Sequence, residues 1–182
     1  CKIGSICESF YTKMKINLTQ NKNFKLFKII SKVAQENNQT VYIVGGYVRD
    51  LLMQRKAPTD IDFVTEQSGI ELAKAVGKEL GDLKVSVFKT YGTAMIKYND
   101  LDLEFVGARK ESYSEDSRKP AVETGTLEDD QKRRDFTVNA LAISLNAENF
   151  GELIDPFNGR KDMQNKILRT PLEPAQTYSD DP

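Results

Sequence analysis

Apolar positions along the chain follow two periods, and the alternation between them marks out the elements. Phe24, Phe27, Ile30 and Val33 or Ala34 recur at helical spacing, which predicts a helix ending near Glu36 at Asn37-Asn38. Val41 to Val44 is an apolar run of strand type, and Gly45-Gly46 then turns the chain into a helix from Tyr47 to Met53 with Val48, Leu51 and Leu52 inward. Lys56-Ala57-Pro58-Thr59 breaks that helix, and Ile61 to Val64 reads as a second strand. Residues 69–80 form an amphipathic helix through Ile70, Leu72, Ala73, Val76 and Leu80, closed by Gly81. Strands near 84–88, 93–98 and 101–106 follow, the last two joined by an Asn99-Asp100 turn. Leu127 to Leu145 returns to helical spacing and runs on into a strand, residues 153–159 read as a turn, Arg160 to Asn165 as a short helix and Ile167 to Arg169 as a strand. Three stretches lack a pattern. Residues 1–23 are polar and expected to be loose, residues 107–124 read as a long mobile loop, and the proline-rich residues 171–182 read as a linker.

Composition narrows the picture. The chain has 182 residues, 39% of them apolar and 29% charged, which suits one globular domain over residues 24–170. No apolar window reaches the ~18 residues of a membrane helix, and the start lacks the apolar core of a signal peptide. Cys1 and Cys7 make no disulfide framework, so a reducing, cytoplasmic setting without a membrane partner is expected. The net charge of −1 shows no basic excess, so any nucleic-acid contact must be local. There is no histidine, which excludes histidine-based triads and histidine metal sites. Chemistry is left to carboxylates, basic side chains, hydroxyls and metal ions.

Four segments can carry such chemistry. Val44-Gly45-Gly46-Tyr47-Val48-Arg49-Asp50 takes a strand through two glycines into a helix, a shape that lets phosphate approach backbone N–H groups, with Arg49 in the first turn able to fork onto phosphate oxygens. Two glycines before a helix are more often just a tight turn. Asp60-Ile61-Asp62 puts two carboxylates on one face of a strand, where their repulsion calls for a cation, and Mg²⁺ suits an all-oxygen site. Two solvated acids at a strand end are the plainer account. Asp102-Leu103-Glu104 alternates likewise, and either acid, on a neighbouring strand, would complete a three-carboxylate cluster for two metals; spacing does not choose between them. Lys132-Arg133-Arg134-Asp135-Phe136-Thr137-Val138-Asn139 offers Arg134 to neutralise triphosphate charge and Asp135 to orient an arginine or meet a ribose hydroxyl. Alternatively, Asp135 caps a helix and the basic run is solvated.

Taken in order, Gly45-Gly46-x-Val48-Arg49-Asp50, Asp60-x-Asp62, Glu104, Arg133-Arg134-Asp135-Phe136-Thr137-x-Asn139-Ala140, Asp155-Pro156-Phe157-x-Gly159-x-x-Asp162 and Leu168-Arg169 resemble the class II tRNA nucleotidyltransferase and bacterial poly(A) polymerase family over about residues 25–182. The resemblance implies an α/β (α+β) fold, the polymerase-β-like nucleotidyltransferase head, with a mixed sheet backed by helices. It implies that Asp60 and Asp62 bind metal, that Glu104 is the further catalytic acid, and that Gly45, Gly46, Arg49, Arg134, Asp135 and Asn139 handle the nucleotide. It further implies Mg²⁺ as cofactor, CTP and ATP as substrates, and the 3′ end of tRNA or another RNA as partner. The expected activity is addition of CCA, or part of it, with release of pyrophosphate; poly(A) addition and a non-catalytic nucleotide- or RNA-binding module are the alternatives. In the family, residues like 180–182 open a neck helix that reads the incoming base, ahead of body and tail domains that grip tRNA.

Overall fold

The computed structural model describes residues 14–56, 58–112, 121–175 and 177. Its elements are α1 (Phe24–Glu36), β1 (Tyr42–Val44), α2 (Gly46–Leu52), β2 (Asp60–Thr65), α3 (Gly69–Glu79), β3 (Val85–Phe88), β4 (Thr93–Tyr98), β5 (Leu101–Gly107), β6 (Arg109–Ser112), β7 (Ala121–Thr124), α4 (Leu127–Lys132), β8 (Ala142–Ser144), β9 (Leu153–Ile154) and α5 (Gly159–Asn165). Seven strands form one mixed sheet in the order β3-β4-β5-β2-β1-β8-β9, and β6 pairs with β7 in a separate hairpin. Within the large sheet only β2 and β5 run parallel; α3 and the β3–β4 pair lie between them in the chain.

The sheet has two unlike faces because successive strand residues point to opposite sides. On one face Ile43, Ile61, Phe63, Ile96, Leu103 and Phe105 meet α1 and α3 through Phe27, Ile30, Leu72 and Val76, all fully buried. Phe63 and Phe105, register partners on the parallel pair, stack with centroids 5.0 Å apart. Each such side chain stabilises the fold by roughly 1.5–3 kcal/mol. Ser68 caps α3 by accepting a hydrogen bond from the Glu71 N–H. The other face bears the alternate residues: Asp60 and Asp62 on β2, Asp102, Glu104 and Val106 on β5, Thr93 and Met95 on β4. Part of it is covered by a smaller cluster of Val44, Val64, Ala108, Leu127 and Ala142.

Several expectations are corrected. Residues 14–23 are docked: the Ile16 N–H donates to the Gly151 carbonyl, the Leu153 N–H to the Met14 carbonyl, and Leu18 is buried. A period-based reading overlooks such a strap, because it is held by backbone bonds and one apolar anchor. Residues 109–112 and 121–124, assigned to a loop, are paired strands; the intervening 113–120 lie outside the described residues, as do 1–13. The helix expected to continue from Leu127 stops at Lys132. Thr126 and Asp129 form a capping box at its start, and past Arg133 the backbone turns extended at Phe136. The apolar run beyond it is β8, buried on both faces, where strand and helix spacing look alike. Leu153–Ile154 is the edge strand β9 rather than part of a turn. Residues 167–169 join no strand; the Arg169 carbonyl instead accepts from the Thr137 N–H at 2.8 Å.

Candidate active site

The parallel register sets Asp60 beside Asp102 and Asp62 beside Glu104, so all four acids share the open face. Their surroundings separate them. Asp102 faces Lys97 across β4 and forms an ion pair of 3.3 Å with it, so its charge is already matched. Asp60 is exposed, whereas Asp62 and Glu104 are half-buried. Burial pushes the Asp62 carboxyl above the usual carboxylate range; Arg134 pulls it down, and Asp60 and Asp130 push it up again. Burial also raises Glu104, followed by the charge of Asp62, while Arg109 opposes. The charge of Asp62 thus bears on Glu104, its register partner, while Asp102 is paired with Lys97.

Among the described residues, no three acidic or cysteine side chains close around a point that an ion would occupy. Two carboxylates are enough for Mg²⁺, which keeps much of its water and takes further oxygens from substrate phosphates. The donor set is all oxygen, and its members repel one another without a cation, so Asp60 and Asp62 fit that ion.

Gly45 makes the rest of the site possible. Its φ of +73° and ψ of −140° lie where side-chain-bearing residues are strained. A Cβ there would stand 3.0 Å from Arg134 Nη1 and 3.5 Å from Asp62 Oδ2. The glycine turn thus lies directly against the inner carboxylate and an arginine. Gly46 opens α2, and a Cβ on it would come 3.6 Å from Arg49 Nη2. The Arg49 fork, expected to be open to phosphate, already grips Asp50: Nε donates at 3.0 Å and Nη2 at 3.2 Å. Its Nη1 donates to Asn139 Oδ1 at 2.8 Å, and Asn139 Nδ2 in turn donates to both Asp135 oxygens at 3.1 and 3.2 Å. Asp135 Oδ1 also accepts from the Phe136 N–H at 2.7 Å, bracing the short 3-10 turn Thr137–Asn139. Gly45, Gly46, Arg49, Arg134, Asp135 and Asn139 therefore form one connected rim beside Asp62.

The chief residue that pattern reading overlooked is Asp130. It is wholly buried, and its two oxygens divide between two arginines: Oδ1 accepts from Arg133 Nη2 at 3.0 Å, Oδ2 from Arg134 Nη2 at 2.9 Å and Nε at 3.0 Å. Its spacing from Arg134, one helical turn, was the available signal. Asp162, also buried, accepts from Thr137 Oγ1 at 2.8 Å and lies 3.4 Å from Arg169 Nε, tying α5 to the same 3-10 turn.

Fold and site together define a head domain of the polymerase-β-like nucleotidyltransferase kind. The profile of the poly A polymerase head domain matches residues 41–169, and the chain belongs to that family. It is 45% identical over 139 residues to the A-adding tRNA nucleotidyltransferase of Aquifex aeolicus (strain VF5), covering 76% of this chain and 16% of that protein. It is 34% identical over 181 residues to the A-adding tRNA nucleotidyltransferase of Halalkalibacterium halodurans, covering 96% of this chain and 41% of that one. Among solved structures, a tRNA-processing enzyme in its apo form I superimposes with a TM-score of 0.79 at 38% identity, over 93% of this chain and 41% of that chain. A tRNA nucleotidyltransferase complexed with a primer tRNA and an incoming ATP analog superimposes with a TM-score of 0.72 at 40% identity, over 84% and 41%. The chain thus spans less than half the length of these relatives.

Proposed function

We propose that this chain is the catalytic head of a tRNA nucleotidyltransferase that adds CCA, or part of it, to RNA 3′ ends from CTP and ATP. The observation that carries this reading is the packing of the Gly45 turn and Arg134 directly against Asp62, with Glu104 beside it in register. The acceptor 3′-oxygen attacks the α-phosphorus in line; the bond to the bridging oxygen breaks, and pyrophosphate leaves with the electron pair. Asp60 and Asp62 would hold Mg²⁺, which when bound lowers the pKa of the attacking hydroxyl and neutralises the leaving phosphates. Gly45, lacking a Cβ, leaves room for polyphosphate beside Asp62. Arg134 lies where negative charge develops and is held there before substrate arrives, so little reorganisation is needed during reaction. Asn139 and Asp135 fix Arg49 on the other side of the turn.

The test uses the full-length protein, tRNA transcripts ending before, within and after CCA, and CTP or ATP, with products resolved on a denaturing gel. A ladder stopping at CCA supports the full activity. Addition only of the terminal adenosine supports the specialisation named for the Aquifex and Halalkalibacterium relatives, and a long tail supports a poly(A) polymerase. Asp62→Ala should lower the rate by about 10³-fold or more. No incorporation into any RNA by the wild type would overturn the reading.

A further inference from the structure

The strap at residues 14–23 reaches further than the edge of the sheet. One end is bonded to Gly151 and Leu153, and the other runs through Asn21 and Asn23 into α1. Asn23 holds the N-cap position of α1, where an Asn side chain ordinarily accepts from a free N–H of the first turn and stabilises the helix by about 1 kcal/mol. Here it makes no such bond. Its Nδ2 instead donates to the Tyr47 hydroxyl at 3.1 Å, and that hydroxyl donates to Asn21 Oδ1 at 3.1 Å. Asn21 Oδ1 also accepts from the Asn23 N–H at 2.9 Å, so the two asparagines close on the phenol as one clamp. Tyr47 is 2% exposed, with its ring edge-on to Phe27 at a centroid distance of 5.9 Å. Packing alone calls for no hydroxyl there, and a buried hydroxyl is costly without partners.

Tyr47 is the second residue of α2, a helix of 7 residues that is too short to keep its place by its own hydrogen bonds. Its orientation comes from anchors: Tyr47 and Val48 on the core side, and the bond from Arg49 to Asn139 on the rim. Tyr47 and Arg49 lie about 200° apart around the helix. A turn or slide of α2 at the phenol therefore displaces the guanidinium and the Gly46 backbone with it. We propose that Tyr47, clamped by Asn21 and Asn23, is a positioning residue for the nucleoside triphosphate. It fixes the rotation of α2, and through it the place of Gly46 and Arg49 at the polyphosphate. The proposal rests on the nucleotide-transfer reading and extends the support of that site to asparagines 24 and 26 residues upstream of Tyr47. The forgone cap carries it: the side chain best placed to stabilise α1 is directed to α2 instead.

The experiment uses the full-length protein with Tyr47→Phe, Asn23→Ala and the double variant, and Ser31→Ala as a control. Ser31 is buried on α1 and its hydroxyl donates to the Leu145 carbonyl at 2.5 Å, a bond that does not involve α2. Tyr47→Phe keeps the ring in the core, and melting curves check that every variant is folded. Tyr47→Phe and Asn23→Ala should each raise KM for CTP and ATP about fivefold to tenfold, and the inhibition constant of inorganic pyrophosphate likewise, while KM for tRNA stays within about twofold. The double variant should be no worse than either single one, because both remove the same bond. Ser31→Ala should lower the melting temperature and move neither KM. If Tyr47→Phe behaves like Ser31→Ala, the hydroxyl only stabilises the fold and the proposal is overturned. Equal rises in KM for CTP and tRNA, or additive effects in the double variant, would overturn it too. If the wild type transfers nucleotides normally and Tyr47→Phe leaves KM for CTP unchanged, only the positioning role falls. If the wild type transfers none, equilibrium binding of CTP decides: binding weakened by Tyr47→Phe sustains the positioning role while the transfer reading falls, and unchanged or absent binding sinks both.

Discussion

Asp62 is held in a conformation that opposes its own charge. Burial is the largest influence on it, and its carboxyl lies above the usual range as a result. A carboxyl whose pKa is higher in the folded than in the unfolded chain favours folding while protonated and disfavours it once ionised. Asp62→Asn should therefore melt at a higher temperature than the wild type at neutral pH without added Mg²⁺. The advantage should shrink as the pH falls through the raised folded value toward the ordinary carboxylate range, where both proteins are neutral at this position. Calorimetry at several pH values checks this, and identical midpoints at neutral pH would contradict it. Asp130 shows the opposite economy: its charge is wholly buried but shared between Arg133 and Arg134. Asp130→Ala should destabilise the fold by about 2–3 kcal/mol, less than for a fully buried pair because both arginines keep some water. It should also weaken nucleotide use, and Asp130→Asn, which still accepts hydrogen bonds, should recover part of the stability in the same denaturant titration. The acids of the open face were legible as pairs because strand alternation is simple. The different surroundings of Asp102 and Glu104 were not, because the ion pair of Asp102 depends on Lys97 reaching across from β4.

At the scale of elements, the turn between β1 and α2 controls the geometry. Gly45→Ala meets both a strained backbone, about 1–3 kcal/mol, and a Cβ pressed against Arg134 and Asp62. Thermal unfolding and single-turnover incorporation should show a loss of stability of that order together with a loss of rate of at least about tenfold. A variant that is destabilised but fully active would mean that the turn is only structural. The same clustering explains how much could be read in advance. Helices α1, α2 and α3 and strands β1 to β5 carry clean periods, and they appear close to their expected bounds. The stretch after Leu127 did not, because α4 is ended by tertiary bonds. Gln131 Nε2 donates to the carbonyls of Ala140 and Ile154, and Asp130 draws Arg134 back onto the helix. The β6–β7 hairpin escaped notice because β6 is mostly charged and neither short strand shows a clear apolar alternation.

For the whole molecule, charge is the informative quantity. The net charge is −1, and the arginines of the site are largely matched by Asp50 and Asp130. A protein consisting of these residues alone should bind tRNA weakly, and log K against log salt should have a slope shallower than about −3, corresponding to few neutralised phosphates. Anisotropy titrations over a range of salt would measure it, and a much steeper slope would locate the main RNA grip in this head. The parallel pairing of β2 with β5 has a consequence for how the molecule matures. Its helices and the β3–β4 hairpin can form from nearby residues, but Asp62 and Glu104 meet only after the chain between them has closed a long excursion. Assembly of the pocket is thus a late event in refolding, delayed further by the mutual repulsion of the acids it gathers, and a partly folded head would have its helices before it had its chemistry.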